Sequence, residues 1–452
     1  MAETNGTDLN SPAGQAQART YHPNRPSVEG EASAAPVGPE PIEARQTGRA
    51  ARLLGALVEP KFRRYTAGTF VWGSAHQLIT LAQGYTLFKL TDSTLYLAAL
   101  GASVGVMSVI MPAIGGFLND RMPRKRLLLA GSLAMALVMA AVTAVYAYGR
   151  LQPWHLLAAG LAQGSFLGLD WTTRQTMLPA VVSRPRLVSA VSVDLAAFNL
   201  ARIVAPLTGG AVLASWGGPA AYGLIAGLFA ASVLIITTLR LGTAARVTHA
   251  PIWADIKEIG RLLRADQVLA VNIMFTAVNA LMLGAVIYLL PAFADEVFKT
   301  SERGLSWLFT TIGAGSFAAA VALSLGGGLK RAGTGLILSN LLFAGCVVGF
   351  AYSGQIALAA VCAAALGFFN SIHIALGAAA VQMASPEGMR GRVFGAYEVA
   401  WGMFPLGGLV YGIIANWAGL PVALAIGAGV TALFTAVVWL RAPKIRFMVF
   451  AR

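Results

Sequence analysis

Gly115-Gly116-Phe117-Leu118-Asn119-Asp120-Arg121-Met122-Pro123-Arg124-Lys125-Arg126 lies between two apolar runs, each long enough to cross a bilayer. One acid and four bases share a turn too short to form a domain. An ionisable side chain inside hydrocarbon is costly unless it faces the protein interior or a cavity. This knot of charge therefore belongs at a membrane face, and the remainder of the chain says which one.

Of the 452 residues, 57% are hydrophobic and 12% are charged, against about 25% charged in an ordinary soluble domain. The apolar residues come in runs of roughly 20 or more, the length of a membrane span. That pattern excludes a soluble multi-domain protein. Fifty glycines suit helices packed at close range within a membrane. A net charge of +14 would suggest nucleic-acid binding in a soluble chain. Here the bases gather at the ends of apolar runs, so they report topology, and no nucleic-acid partner is expected. Cys346 and Cys362 fall inside apolar runs without metal-ligand spacing and are expected as small buried side chains. The N-terminus lacks the basic-then-apolar start of a signal peptide.

Spans are expected at roughly 66–90, 95–118, 127–148, 153–178, 187–214, 219–240, 268–294, 304–328, 334–352, 355–383, 392–416 and 420–440, about twelve helices. Alternate loops hold Arg121/Arg124/Lys125/Arg126, Arg184/Arg186, Arg246/Lys257/Arg261/Arg264, Lys330/Arg331 and Arg390/Arg392, and Arg441, Lys444 and Arg446 follow the last span. The other loops hold only Arg150, Lys299 and Arg303 among their bases. By the positive-inside rule both termini and the knot are cytoplasmic, in a multi-pass protein of the cell membrane.

Residues 1–60 lack apolar periodicity and read as a disordered cytoplasmic tail. Leu53, Leu54, Leu57 and Val58, among Arg52, Lys61, Arg63 and Arg64, suggest a short helix lying on the membrane. A six-helix half follows over 61–241, a linker over 242–266, a second six-helix half over 267–441 and a cytoplasmic tail over 442–452. In the linker Ile252, Ile256, Ile259 and Leu263 share one helical face opposite charge, the mark of an interfacial amphipathic helix.

The halves read as repeats. Pro206-Leu207-Thr208-Gly209-Gly210, with Trp216-Gly217-Gly218 after it, matches Pro405-Leu406-Gly407-Gly408, with Trp417-Ala418-Gly419 after it. Gly326-Gly327-Gly328-Leu329-Lys330-Arg331 echoes the opening stretch without its acid. Duplicated six-helix halves suggest a transporter that rocks around a midplane site.

The opening stretch resembles the signature of the major facilitator superfamily, G-x-L-x-D-R-x-G-R-[KR]-[KR], after span two. Gly116, Leu118, Asp120, Arg121, Arg124, Lys125 and Arg126 match it, and Pro123 stands where glycine is usual. Span five resembles the antiporter signature G-x-x-x-G-P-x-x-G-G, with Ala201, Ala205, Pro206, Gly209 and Gly210 in its places. Arg174-Gln175-Thr176-Met177-Leu178-Pro179-Ala180, Asn199-Leu200-Ala201-Arg202-Ile203, the linker and Arg390-Gly391-Arg392-Val393 resemble the enterobactin-exporter and macrolide-efflux subgroup. The resemblance covers about residues 62–441. It implies a monomer, a small-molecule substrate and proton coupling. The buried arginine that drug–proton antiporters often carry in span four is absent near Gly160, and Leu81-Ala82-Gln83-Gly84 in span one lacks an acid.

No motif of hydrolytic, nucleotide-dependent or redox chemistry is present, so an enzyme, a cofactor and a metal are not expected. Ionisable residues within spans are the functional candidates. Asp170 and Arg174 are four apart on span four with Gln163 on the same face; they read either as a structural pair snorkelling to the surface or as a gate or proton relay. Asp194 and Arg202 frame Phe198 on span five, with Asp194 or Glu398 as the expected partner of Arg202, in a substrate, coupling or purely structural role. Glu398 on span eleven and Asp194 head the proton-coupling candidates, with Arg202, Asp170 and His76. Trp72, Gln83, Asn199, Asn272, Asn279, Asn370, His373 and Trp401 are candidate cavity residues, with interhelical hydrogen bonding as the plainer alternative. Gly116, Asp120, Arg121 and Arg124 form an expected cytoplasmic gate, with Asp120 accepting from the start of span eleven near Gly391 and Arg392. Pro206, Gly209 and Gly210 form an expected hinge or seal between halves.

The expectation is an all-α integral membrane protein, twelve transmembrane helices in two six-helix halves, the major facilitator fold. Its expected work is proton-coupled efflux of an amphiphilic, drug- or siderophore-like small molecule across the lipid bilayer. An uptake symporter on the same fold and a non-transporting receptor or scaffold are the alternatives.

Overall fold

The computed structural model describes residues 55–239, 252–325, 332–386 and 389–446, apart from the side chains of a few helical residues, Asp120 among them. The expected disordered tail, save its last residues, and the Gly326–Arg331 echo lie outside this set. Among the described residues there is no strand. The helices are α1 (Pro60–Thr91), α2 (Thr94–Arg121), α3 (Arg124–Ala147), α4 (Pro153–Val181), α5 (Leu187–Thr237), α6 (Ile252–Ala265), α7 (Gln267–Ala292), α8 (Glu302–Leu325), α9 (Ala332–Ala351), α10 (Ile356–Ala384), α11 (Arg390–Gly402), α12 (Phe404–Ala418), α13 (Leu420–Arg441) and α14 (Pro443–Arg446). The 51-residue α5 is two helices joined at Gly217, whose φ of 76° is not helical. Divided there, and with α11 and α12 run together across Met403, the helices accommodate twelve spans, six before α6 and six after it.

Local chemistry sets the boundaries. Pro60 opens α1 and Pro153 opens α4, where a missing N–H costs nothing. Asp266 caps α7 by accepting from the amides of Val268 and Leu269 at 2.8 and 3.1 Å. Between α2 and α3 only Met122 (φ −114°, ψ 145°) and Pro123 (φ −57°, ψ 125°) intervene. Neither needs a positive φ, so proline serves where the superfamily signature has glycine, and Met122 takes the extended backbone that a following proline favours. Lys61, Arg63 and Arg64 belong to the first turns of α1 and not to a separate surface helix. Among the described residues the 3₁₀ turn Gly55–Val58 precedes it, anchored by the Ala56 amide on Ser189 Oγ at 3.1 Å, and Leu53 and Leu54 lie outside them.

The repeat is visible in the backbone. Asp92 ends α1 at φ 48°, and Lys299 stands at φ 47° at the matching connection after α7. Gly217 and Gly419, at φ 76° and 87°, turn the chain at the other matching pair. Trp216 and Trp417 beside them are 72% and 85% exposed.

The halves join along two seams, α2 against α12 and α5 against α8. Small residues make the close approach possible. A methyl group added at Gly101 would stand 2.6 Å from the Pro405 carbonyl oxygen, and one at Gly313 would stand 2.6 Å from that of Arg202. Gly209 lies directly on Leu78 of α1, within its own half, and Gly210 on Ser306 of the opposite half, so only Gly210 of the two stands on a seam. The helix runs on through Pro206, whereas its counterpart breaks at Met403, just before Pro405.

Candidate substrate and coupling site

The core of the first half is polar. The Trp72 indole donates to Asp170 Oδ2 at 2.9 Å. The Arg174 guanidinium lies over the same ring, 4.7 Å from its centroid. Tyr65 donates to the Arg174 carbonyl at 2.7 Å, and Arg174 reaches Ser232 Oγ at 3.4 Å. Asp170 and Arg174 are 0% and 3% exposed, so neither snorkels; the surface-pair expectation is overturned. They also make no ion pair within 4 Å; each meets the Trp72 indole instead. Gly131 leaves the room for Asp170: a methyl group there would stand 2.6 Å from Oδ1. Asp194 approaches Thr69 and the Arg174 charge from α5. One guanidinium thus serves two carboxyl groups. His76 leans on Trp72, rings 4.5 Å apart, with Nδ1 3.2 Å from the Trp72 carbonyl oxygen. Gln163, one of the polar residues on the Asp170 face of α4, is also buried.

An aromatic wall leads from this core toward the other half. Trp171 stacks on Trp72 with ring centroids 6.2 Å apart, and Phe198 packs on Trp171 at 5.2 Å. On its far side the Trp171 indole neighbours the Glu398 carboxyl of α11. Arg202 lies midway between Leu187 and Trp216. Among the described residues it forms no ion pair, so the expected pairing with Asp194 or Glu398 is not made: Asp194 turns to Thr69 and Arg174 instead, and Glu398 to Trp171.

The expected cavity lining divides sharply. Asn199 and Trp401 are half-buried. Trp72, Gln83, Asn272, Asn279, Asn370 and His373 are at most 2% exposed and line no open space in this conformation. Gln83 reaches the Leu156 carbonyl at 3.4 Å. Asn279 donates to Asn340 Oδ1 at 3.1 Å, and Asn340 donates to Thr435 Oγ1 at 2.8 Å, a neutral chain through the second half. His373 packs edge-on against Phe275 at 5.8 Å.

Two cross-half contacts were not foreseen. Lys89 pairs with Asp295, and the Tyr85 hydroxyl donates to Glu302. Both lie at the end of the bundle whose loops are poor in bases. Counting only bases there hid them; the acids Asp295 and Glu302, set opposite Lys89 and Tyr85 at equivalent span ends, were the available signal.

At the basic end Lys125 donates to the carbonyls of Thr237 and Leu239 at 2.8 and 2.7 Å, closing the C-terminus of α5. Glu59 accepts from Ser183 Oγ at 2.6 Å and from Arg186 at 3.3 Å. The Ser183 hydroxyl and amide, with Arg186, hold the Glu59 carboxylate below its ordinary value. Arg392 is 2.6 Å from Glu258 of α6, whose Leu262 and Leu263 pack on Leu269, Val381 and Val393. The amphipathic linker is thus docked on the second half. The Asp120 side chain, and with it the expected latch, lies outside the described residues.

A family model described as transmembrane secretion effector matches residues 57–448. The enterobactin exporter EntS of Escherichia coli O1:K1 is 26% identical over 359 residues, covering 77% of this chain and 85% of the exporter; that of Escherichia coli O139:H28 matches equally. The nucleoside transporter NupG superposes with a TM-score of 0.64 at 16% identity, over 84% of this chain and 98% of that one. The human organic anion transporter MFSD10 superposes with a TM-score of 0.61 at 15% identity, over 84% and 100%. With apolar helices long enough to span a membrane, a duplicated six-helix plan and a family match over most of its length, the chain belongs to the transmembrane secretion effectors of the major facilitator superfamily and is a multi-pass membrane transporter.

Proposed function

We propose that the protein exports an amphiphilic small molecule in exchange for protons, by alternating access around the interface of its halves. The observation that carries the reading is the buried arrangement of Asp170 and Asp194 about a single Arg174. Two carboxyl groups and one guanidinium leave the core short of one positive charge, and a proton supplies it. The Trp171–Trp72 stack runs from this core to Glu398, which joins proton binding in the first half to the interface with the second. The similarity to an enterobactin exporter supports the outward direction. With the basic loops placed in the cytoplasm, the Lys89–Asp295 and Tyr85–Glu302 contacts close the outer side, and the interior opens inward. Asp120, Arg121 and Arg124 then act at the inner side as the latch of the opposite state, with Gly116 in the same turn, and Asp120→Asn weakens it.

The test is flux in proteoliposomes under an imposed pH gradient. Glu398→Gln and Asp194→Asn are expected to abolish proton-driven export while membrane abundance stays normal. A normal pH dependence in both variants removes them from the mechanism. Solute accumulating together with protons, in place of against them, would establish uptake symport.

A further inference from the structure

We propose that Arg202 is the anion-binding residue of the substrate cavity, so that the transported amphiphile carries an acidic group, a carboxylate or ionised phenol, next to an aromatic ring. The proposal deepens the export reading above and rests on it.

Arg202 is 15 residues from Leu187, about 22 Å along the helix at 1.5 Å per residue. A guanidinium at that depth has lost much of its water, and its five donors need acceptors. Arg174 shows what a partnered arginine looks like here: it has a ring beneath it, a hydroxyl at its tip and two acids nearby. Arg202 has neither ion pair nor side-chain hydrogen bond among the described residues, yet it is only half-buried. Its nitrogens are not among the fully buried polar atoms that lack a partner.

The helical wheel shows which space. Leu200 and Leu207, 45% and 37% exposed, mark the lipid face of α5. Val191 and Leu195, 40% and 44% exposed, lie on the opposite face toward the basic end. On the export reading, the face that carries Val191 and Leu195 is the one that borders the substrate cavity. Arg202 is seven residues beyond Leu195, two turns deeper on that inner face. Beyond it the seam with α8 shuts, Gly313 against the Arg202 backbone and Gly210 against Ser306. The guanidinium is thus a cation near the blind end of an inward-opening cleft. One turn before it on the same face stands Phe198, packed on Trp171. A planar fork that binds carboxylates through two parallel hydrogen bonds, set above aromatic rings, fits an aromatic acid and discriminates against a cation.

Full-length protein in detergent tests this with 1-naphthylacetate, its methyl ester and 1-naphthylethylamine, binding read by energy transfer from tryptophan. Wild type is expected to bind the acid about tenfold or more tightly than the ester or the amine. Arg202→Gln removes that preference and leaves ester affinity unchanged, which also reports an intact fold. Arg202→Lys retains part of it. Wild type without acid preference, wild type that binds none of the three, or R202Q that keeps the preference overturns the proposal. Flux of the same probes separates the two readings. Arg202-dependent binding without translocation sinks the transport reading and keeps the anion site; translocation of ester or amine without acid preference does the reverse.

Discussion

The two halves share a backbone plan and bury opposite kinds of polarity. Left-handed residues end equivalent helices at Asp92 and Lys299, and glycines turn equivalent corners at 217 and 419. Inside, the first half holds Asp170, Arg174 and Asp194 around the Trp72 ring, and the second holds Asn279, Asn340 and Thr435 in a neutral chain. Amides can lock helices together at modest cost, but they neither take up nor release a proton. A buried acid and base cost far more and persist where their charge is used. The duplicated scaffold thus carries two kinds of core, one built on charges and one on neutral amides.

Substitutions can break that contrast. The largest effect is expected for Arg174→Met, which leaves two buried acids without their cation, at about 3–5 kcal/mol. Thermal unfolding in detergent and proteoliposome flux should both fall steeply, and adding Asp170→Asn should recover stability but not flux. An R174M protein as stable and active as wild type ends the distinction between the halves. Asn340→Leu cuts the neutral chain and should cost about 1–2 kcal/mol with flux changed less than about twofold, as buried packing without a role in coupling requires. Lys89→Asp opposes two acids across the halves and should raise the labelling of outer-side cysteines, by no more than about fivefold for a pair this exposed; Asp295→Lys added to it should restore the wild-type rate. The smallest effect belongs to Glu59. Its carboxylate is held below the ordinary value, so its contribution to stability is present above about pH 4.3 and is lost as the pH falls through the lowered folded value. Glu59→Gln should therefore match wild type in acid and lag slightly at neutral pH in an unfolding series.

Much of the fold could be read along the chain, because run length, loop bases and the Pro-Leu-x-Gly-Gly repeat are local signals. The site could be read only in part. Asp170, Arg174, Asp194 and Glu398 stand out as charges in apolar runs. What they touch does not: the Trp72–Asp170 bond joins residues 98 apart in sequence. Polarity alone also failed to separate cavity from core, and Gln83, Asn272, Asn279, Asn370 and His373 proved to be core. Yet one whole-helix signal was present. Among the described residues nine helices are apolar enough to count as spans by composition, and α1 and α4, the two that carry Trp72, His76, Asp170 and Arg174, are not among them. Span-length helices deficient in apolarity mark where interior polarity has been concentrated.

Trp216 and Trp417 have a mechanical consequence. Indoles settle at the boundary between headgroups and acyl chains, and these two project from matching corners of the two halves. Each half is thereby moored at the same depth of the bilayer. On the export reading proposed above, units moored in this way would resist sliding past one another along the membrane normal and yield more readily to tilting, a see-saw in place of a piston.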